Sequence, residues 1–130
     1  MAKEAIGSNA IFTGTQKGLT VIGEHCYAYS GSKATSATPT NFLEFTTGKH
    51  YIIAKLQPAY FSSYTGNISF LIKFNGQDVQ HAEVTSSRDY TPYDEIHLLI
   101  PPLTFVEVVL DNLDGGSDLA GVSLTGRVYQ

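Results

Sequence analysis

Hydrophobic and polar positions alternate with a period of two along much of this chain, most cleanly over residues 68–84. Ile68, Phe70, Ile72 and Phe74 fall on one face of an extended segment, with Ser69 and Lys73 on the other. Asn75-Gly76 follows, the strongest short-range hairpin signal, because a type I′ turn needs two residues that tolerate positive φ. A two-residue turn fixes the register of the returning segment, Gln77 to Val84. The expected cross-strand neighbours are Phe74 with Gln77, Lys73 with Asp78, Ile72 with Val79 and Phe70 with His81. His81 then reads as a partly buried, hydrogen-bonded imidazole.

The same alternation predicts further strands and no helix. A first strand is expected over Leu19–Tyr29, with Leu19, Val21, His25, Tyr27 and Tyr29 on one face. After a Ser/Thr/Ala loop ending at Pro39, strands follow at Asn41–Thr46 and Tyr51–Gln57, and Ile52, Ala54 and Leu56 face away from Tyr51, Ile53 and Lys55. Beyond the hairpin, Glu95–Ile100 directs Ile96, Leu98 and Ile100 inward, with Glu95 and His97 outward. Pro101-Pro102 stops it, since proline cannot donate to a ladder. Phe105–Leu110 and Val122–Tyr129 complete the set, the latter setting Val122, Leu124 and Val128 against Thr125, Arg127 and Tyr129.

About eight short strands separated by turn signals indicate an all-β, single-domain antiparallel β-sandwich. The strand number favours a jelly-roll arrangement over an immunoglobulin-type sandwich of about seven strands. The immunoglobulin Cys–Trp–Cys signature is also missing, since Trp is absent and Cys26 is the one cysteine. Residues 1–16, polar and punctuated by glycine, read as an N-terminal arm, and 17–130 as the sandwich domain. At 130 residues the chain is large enough to bury a real core.

Composition narrows the partners. Charged residues make up 15%, below the roughly 25% usual for soluble domains. A net charge of −4 with eight Lys and Arg leaves no electrostatic footprint for nucleic acid. One cysteine rules out an internal disulfide, so folding needs no oxidising compartment. Met1–Ser8 lacks the apolar region of a signal peptide, and no run approaches the ~18 apolar residues of a membrane span. Synthesis in a cytoplasm and no membrane partner are the expectation.

The residues that could carry chemistry are scattered. His25, His50, His81 and His97 lie on four segments with no His-x-His pair. Glu95 and His97 share a strand face and could hold a metal with a third ligand, but a solvated face explains them equally well. His25 and Cys26 resemble a base and nucleophile, yet adjacent strand residues point to opposite faces, and Cys26 reads better as a small buried apolar residue. No nucleophile elbow or phosphate loop is present. Asp111-Asn112-Leu113-Asp114-Gly115-Gly116-Ser117-Asp118 clusters oxygen ligands that could suit calcium, although the spacing fits no calcium motif and these are ordinary turn formers. No catalytic residue, cofactor or metal ligand is therefore assigned. Aromatic loops carry more: Tyr60, Phe61 and Tyr64 follow Pro58, and Tyr90 and Tyr93 flank Pro92. Tyrosine offers large contact area at low entropic cost, so these five are the candidate contacts for a protein or glycan partner, the alternative being that they cover the end of the sandwich.

Three segments, Phe42–Ile53, Ile100–Val108 and Val122–Tyr129, resemble small β-sandwich structural proteins of tailed bacteriophages. The likeness rests on strand-and-turn patterns and supplies no catalytic residues. It implies a virion component: a capsid decoration or cement protein that binds the major capsid protein, itself as a homotrimer, through the arm and the tyrosine-bearing loops. Two other classes compete. In a receptor- or glycan-binding head of a tail or fibre, the tyrosines would stack on sugars beside Asn67, Asp89 and Asp94, with the absence of Trp counting against it. A metal-dependent cupin-like enzyme would use the same type of fold.

Overall fold

The computed structural model describes residues 18–36, 38–60, 68–84, 95–113 and 119–129, with the backbone alone for Ala59, Tyr60 and Val84. These described residues form ten strands: β1 (Thr20–Ile22), β2 (His25–Tyr29), β3 (Lys33–Ala34), β4 (Thr40–Thr46), β5 (Tyr51–Tyr60), β6 (Ile68–Phe74), β7 (Gln77–Val84), β8 (Ile96–Ile100), β9 (Phe105–Asn112) and β10 (Leu119–Tyr129). They form two antiparallel sheets. Sheet I has the order β1-β2-β10-β5-β8, with β3 also on β10, and sheet II the order β4-β9-β6-β7.

The pairing is nested. β6 pairs β7, β5 pairs β8, β4 pairs β9 and β2 pairs β10, so the chain doubles back on itself as one long hairpin that then rolls up. Two further ladders, β10 with β5 and β9 with β6, close the roll into two sheets. This is the jelly-roll connectivity of two Greek keys, and it confirms the all-β sandwich expected from the sequence.

The inward rows of both sheets meet in one core. Cys26, Ala28, Ile52, Ala54, Leu56, Leu98, Ile100, Val122, Leu124 and Val128 come from sheet I, and Phe42, Leu43, Phe45, Ile68, Phe70, Ile72, Val106, Val108 and Leu110 from sheet II. Inward apolar groups alternate with outward residues along most of the strands, the outward ones polar in many places but apolar at positions such as Ile53 and Leu99. Small residues let sheet I pack closely around β10. A Cβ on Gly126 would lie 2.5 Å from the Ile53 carbonyl oxygen and 2.8 Å from Ala54, so this position has room for glycine alone.

The strand count rises from the expected eight or so to ten, because 19–29 is two strands and Lys33–Ala34, within the expected Ser/Thr/Ala loop, forms β3; two expectations of face and register also need correction. The segment 19–29 is a hairpin of two strands, because Gly23 (φ +61) begins a two-residue Gly-Glu turn that pairs Ile22 with His25. Glycine at the first central position is the mark of a II′ turn. Cys26 and Ala28 consequently point into the core, whereas His25 and Tyr29 are exposed, so the expected single face does not exist. The second correction concerns the 68–84 hairpin. Its turn is as expected, with Asn75 at φ 52 and Gly76 at φ 82, and Phe74–Gln77 and Lys73–Asp78 are paired. Beyond them a bulge at Val79 shifts the register by one, so Ile72 faces Gln80, Leu71 faces His81 and Phe70 faces Ala82. The extra residue turns Ala82 toward the core and leaves the His81 imidazole exposed, bonded to the Ser69 hydroxyl at 3.1 Å.

Candidate interaction face

Register determines what each sheet shows outward. On sheet I one row crosses five of the six strands: Ile22, His25, Arg127, Ile53 and Leu99. Beside it Tyr129 pairs with Tyr51, and on its other side lie Tyr27, Thr125, Lys55 and His97, then Tyr29, Ser123 and Gln57. Ile22 and Leu99 are 62% and 60% exposed, and Ile53, Tyr51 and Tyr29 more than two-fifths, so this is apolar surface held open to solvent. Alternation places them there: residues on either side of each inward core residue must point out.

The rings are organised. Tyr51 and Tyr129 stack with centroids 5.2 Å apart and planes 5° from parallel, and the Arg127 guanidinium sits 5.7 Å over the Tyr129 ring. Tyr27 and Tyr29, two apart on β2, lie 5.2 Å from centroid to centroid at a 37° tilt. The cations of this face are matched locally: Arg127 bonds Glu24 from the β1–β2 turn, and Lys55 approaches Glu95 at 3.6 Å. What remains is a rigid surface that is aromatic, aliphatic and close to neutral.

Sheet II is different. Its outward rows are Glu44, Glu107, Lys73 and Asp78; Asn41, Val109, Leu71 and His81; and Asp111, Ser69 and Glu83. Five carboxylates face one ammonium. Glu44 and Glu107 stand directly opposite each other, an arrangement that costs stability unless mitigated. The Asn41 amide mitigates it by donating to both, at 2.9 Å each, and Lys73 adjoins Glu107.

Tyr60, expected in a loop after Pro58, instead ends β5, which runs on through Pro58 with the Tyr60 backbone opposite Ala120; Phe61, Tyr64, Tyr90, Tyr93 and the 1–16 arm lie outside the described residues, as do Asn67, Asp89 and Asp94. The strand ends flanking those loops, Tyr60 and Ile68 on one connection and Val84 and Ile96 on the other, do fall at the same end of the sandwich. The tyrosines of the outer face, Tyr27, Tyr29, Tyr51 and Tyr129, were accessible to sequence reasoning through the same alternation that located the core, but aromatic clustering in loops drew attention elsewhere.

Other chemical candidates are occupied structurally. Cys26 is buried on the face opposite His25, and burial pushes its thiol up from 9.0 to about 11, away from thiolate chemistry. Glu95, next to His97, is engaged by Lys55. Among the described residues no three His, Cys, Asp or Glu side chains are grouped as a metal would require. Of the acidic loop, Asn112 donates its amide to the Thr35 hydroxyl at 3.1 Å, while Asp114–Asp118 lie outside the described residues.

The end of the sandwich carrying the β4–β5, β6–β7 and β8–β9 connections is stitched tightly. The Thr47 hydroxyl donates to the Pro101 carbonyl (2.8 Å) and accepts from the Thr104 amide (2.9 Å), and Asn75 exchanges two bonds with the Phe105 backbone. Leu103 protrudes from this end, 72% exposed at φ +54, the left-handed region that branched residues rarely enter. No family model matches the chain, and no curated protein matches it in sequence.

Proposed function

We propose that this is a non-catalytic virion structural protein, a capsid decoration or cement subunit that adheres to the major capsid protein of a phage shell. The observation that carries the reading is the outer face of sheet I: Tyr27, Tyr29, Tyr51, Tyr129, Ile53 and Leu99 displayed on regular paired strands. Large rings already fixed in place lose little freedom on contact, which favours adhesion. The strand-and-turn likeness to phage sandwich proteins supports the same reading. The arm of residues 1–16 and Tyr60, Phe61, Tyr64, Tyr90 and Tyr93 supply further contacts. Repetition over a symmetric shell makes weak individual contacts sufficient. The test is to mix purified protein with shells that lack it. Saturable decoration at many copies per particle, weakened by Tyr51→Ala or Leu99→Lys, is expected; failure to bind abolishes the cement role.

The tyrosines favour one second reading, a receptor- or glycan-binding head. The Tyr51–Tyr129 pair spends one face of each ring on its neighbour and one face of Tyr129 on Arg127, which leaves a single open ring face for a sugar. A glycan array separates the two, since a cement subunit has no sugar preference.

A further inference from the structure

We infer that the free edge of β8 is a self-association site, at which a second copy of this chain adds its own β8 antiparallel to the first and extends sheet I across a twofold axis. This goes beyond adhesion to a shell and does not depend on it, because the contact forms between free chains.

The sheet edges are unequal, and β3, with two residues, is too short to count among them. An edge strand exposes unpaired N–H and C=O groups and is ordinarily blunted by shortness, bulges, proline or charge. β1 has three residues. β4 starts after Pro39 and carries a bulge between Asn41 and Leu43. β7 carries the Val79 bulge and the exposed Asp78, His81 and Glu83. β8 is itself short and stops at Pro101-Pro102, but within Ile96–Ile100 it has no bulge, no proline and no Asp, Glu, Lys or Arg. Its five residues, Ile-His-Leu-Leu-Ile, pair with β5 in unbroken register, and among the described residues β5 is its only partner strand.

Its side chains are also self-complementary. Pairing centred on Leu98 sets Leu98 against its own copy and Ile96 against Ile100 on the core side. Outside, each His97 meets the other copy's Leu99. No like charges meet, because Glu95 falls beyond the paired residues and is held back toward β5 by Lys55. The equivalent pairing of β7 would set Asp78 near Glu83 of the other copy, acid against acid. The core row of sheet I is still open at this edge: Ile96 and Leu98 retain 8% and 7% exposure where Ile100 has none. The exposed Leu99 and Ile53 adjoin the edge, so the twofold joins two apolar patches into one outer face.

The free chain is measured by native mass spectrometry and by amide exchange over a concentration series up to about 1 mM, where weak pairs are populated. A species of twice the 14.1 kDa chain mass is expected, with exchange at residues 96–100 slowing as concentration rises and exchange in β7 unchanged. Leu99→Lys replaces the apolar contact with the other copy's His97 and sets two lysines diagonally across the axis, weakening pairing by about twofold to fivefold, whereas Val79→Lys, on the blunted edge, leaves it unchanged. Both positions are exposed, so neither variant disturbs the core. Register is read from a mixture of His97→Cys and Leu99→Cys chains, in which the mixed disulfide should outnumber either symmetric one, since directly opposed Cα atoms lie about 4.5–5.5 Å apart. A monomer at every concentration with unchanging exchange overturns the inference. So does a trimer, because a twofold contact closes at two copies, and so do symmetric disulfides in excess.

Discussion

The outer faces of the two sheets are built on the same core and by the same alternation, yet they differ in almost every surface property. Sheet I shows Tyr27, Tyr29, Tyr51, Tyr129, Ile53 and Leu99 with its cations neutralised by Glu24 and Glu95. Sheet II shows Glu44, Glu107, Asp78, Glu83 and Asp111 around Lys73. Inward residues decide that a sandwich forms; outward residues are free to differ, and here they make one side aromatic and aliphatic and the other acidic. An acidic face resists stacking against itself, whereas an aromatic face invites partners, so the difference gives the molecule a front and a back.

If the faces differ only on the outside, then damage to the shared interior must disable both at once. Phe70→Ala, beneath sheet II, should cost about 3–5 kcal/mol, and Leu124→Ala, beneath sheet I, about 2–5. In each variant, tyrosine fluorescence from sheet I and amide exchange in sheet II should report the same denaturant midpoint. Separate midpoints would mean that the two sheets are not one cooperative unit.

A change confined to the backbone spacing of sheet I should be milder. Gly126→Ala drives a methyl group against the Ile53 carbonyl and Ala54, and an expected loss of about 1–3 kcal/mol is readable by urea denaturation. On the aromatic surface itself, Tyr129→Ala removes the stacking with Tyr51 and should cost about 0.5–1.5 kcal/mol beyond area effects, while reducing partner binding by more than it reduces stability. Equal losses in the two measurements would demote the face to a structural feature. Smallest of all, Glu44→Gln relieves its opposition to Glu107 and should stabilise by a few tenths of a kcal/mol, about 0.2–1 at most, in low salt. The gain should vanish at high ionic strength, and a gain that persists would show that charge repulsion is not what distinguishes sheet II.

Much of this architecture was legible in the amino-acid order. The I′ turn at Asn75-Gly76, the inward rows of Ile52, Ala54 and Leu56 and of Ile96, Leu98 and Ile100, and the stop at Pro101-Pro102 are local facts that the structure repeats. The bulge at Val79 was not legible, because alternation extrapolated from a turn assumes an unbroken ladder, and a bulge is decided by whether His81 or Ala82 is the better neighbour for Phe70. The Gly23-Glu24 reversal has a weaker signature than Asn-Gly and sat inside a run that could be one strand. The sheet I face could be traced only partly, since pairing Ile22, His25, Arg127, Ile53 and Leu99 into one row requires knowing that β10 lies between β2 and β5, and chain order does not give that neighbourhood.

That central position of β10 has a consequence for how the chain is made. On the ribosome every strand of sheet II is synthesised before β10, but β2 and β5, separated by a gap only β10 can fill, cannot be joined until it emerges. Sheet I is thus completed only once β10 has been made, and until then β2 and β5 stand with their facing edges unjoined. The outer row of Ile22, His25, Arg127, Ile53 and Leu99 is therefore assembled in a single step, by the arrival of β10.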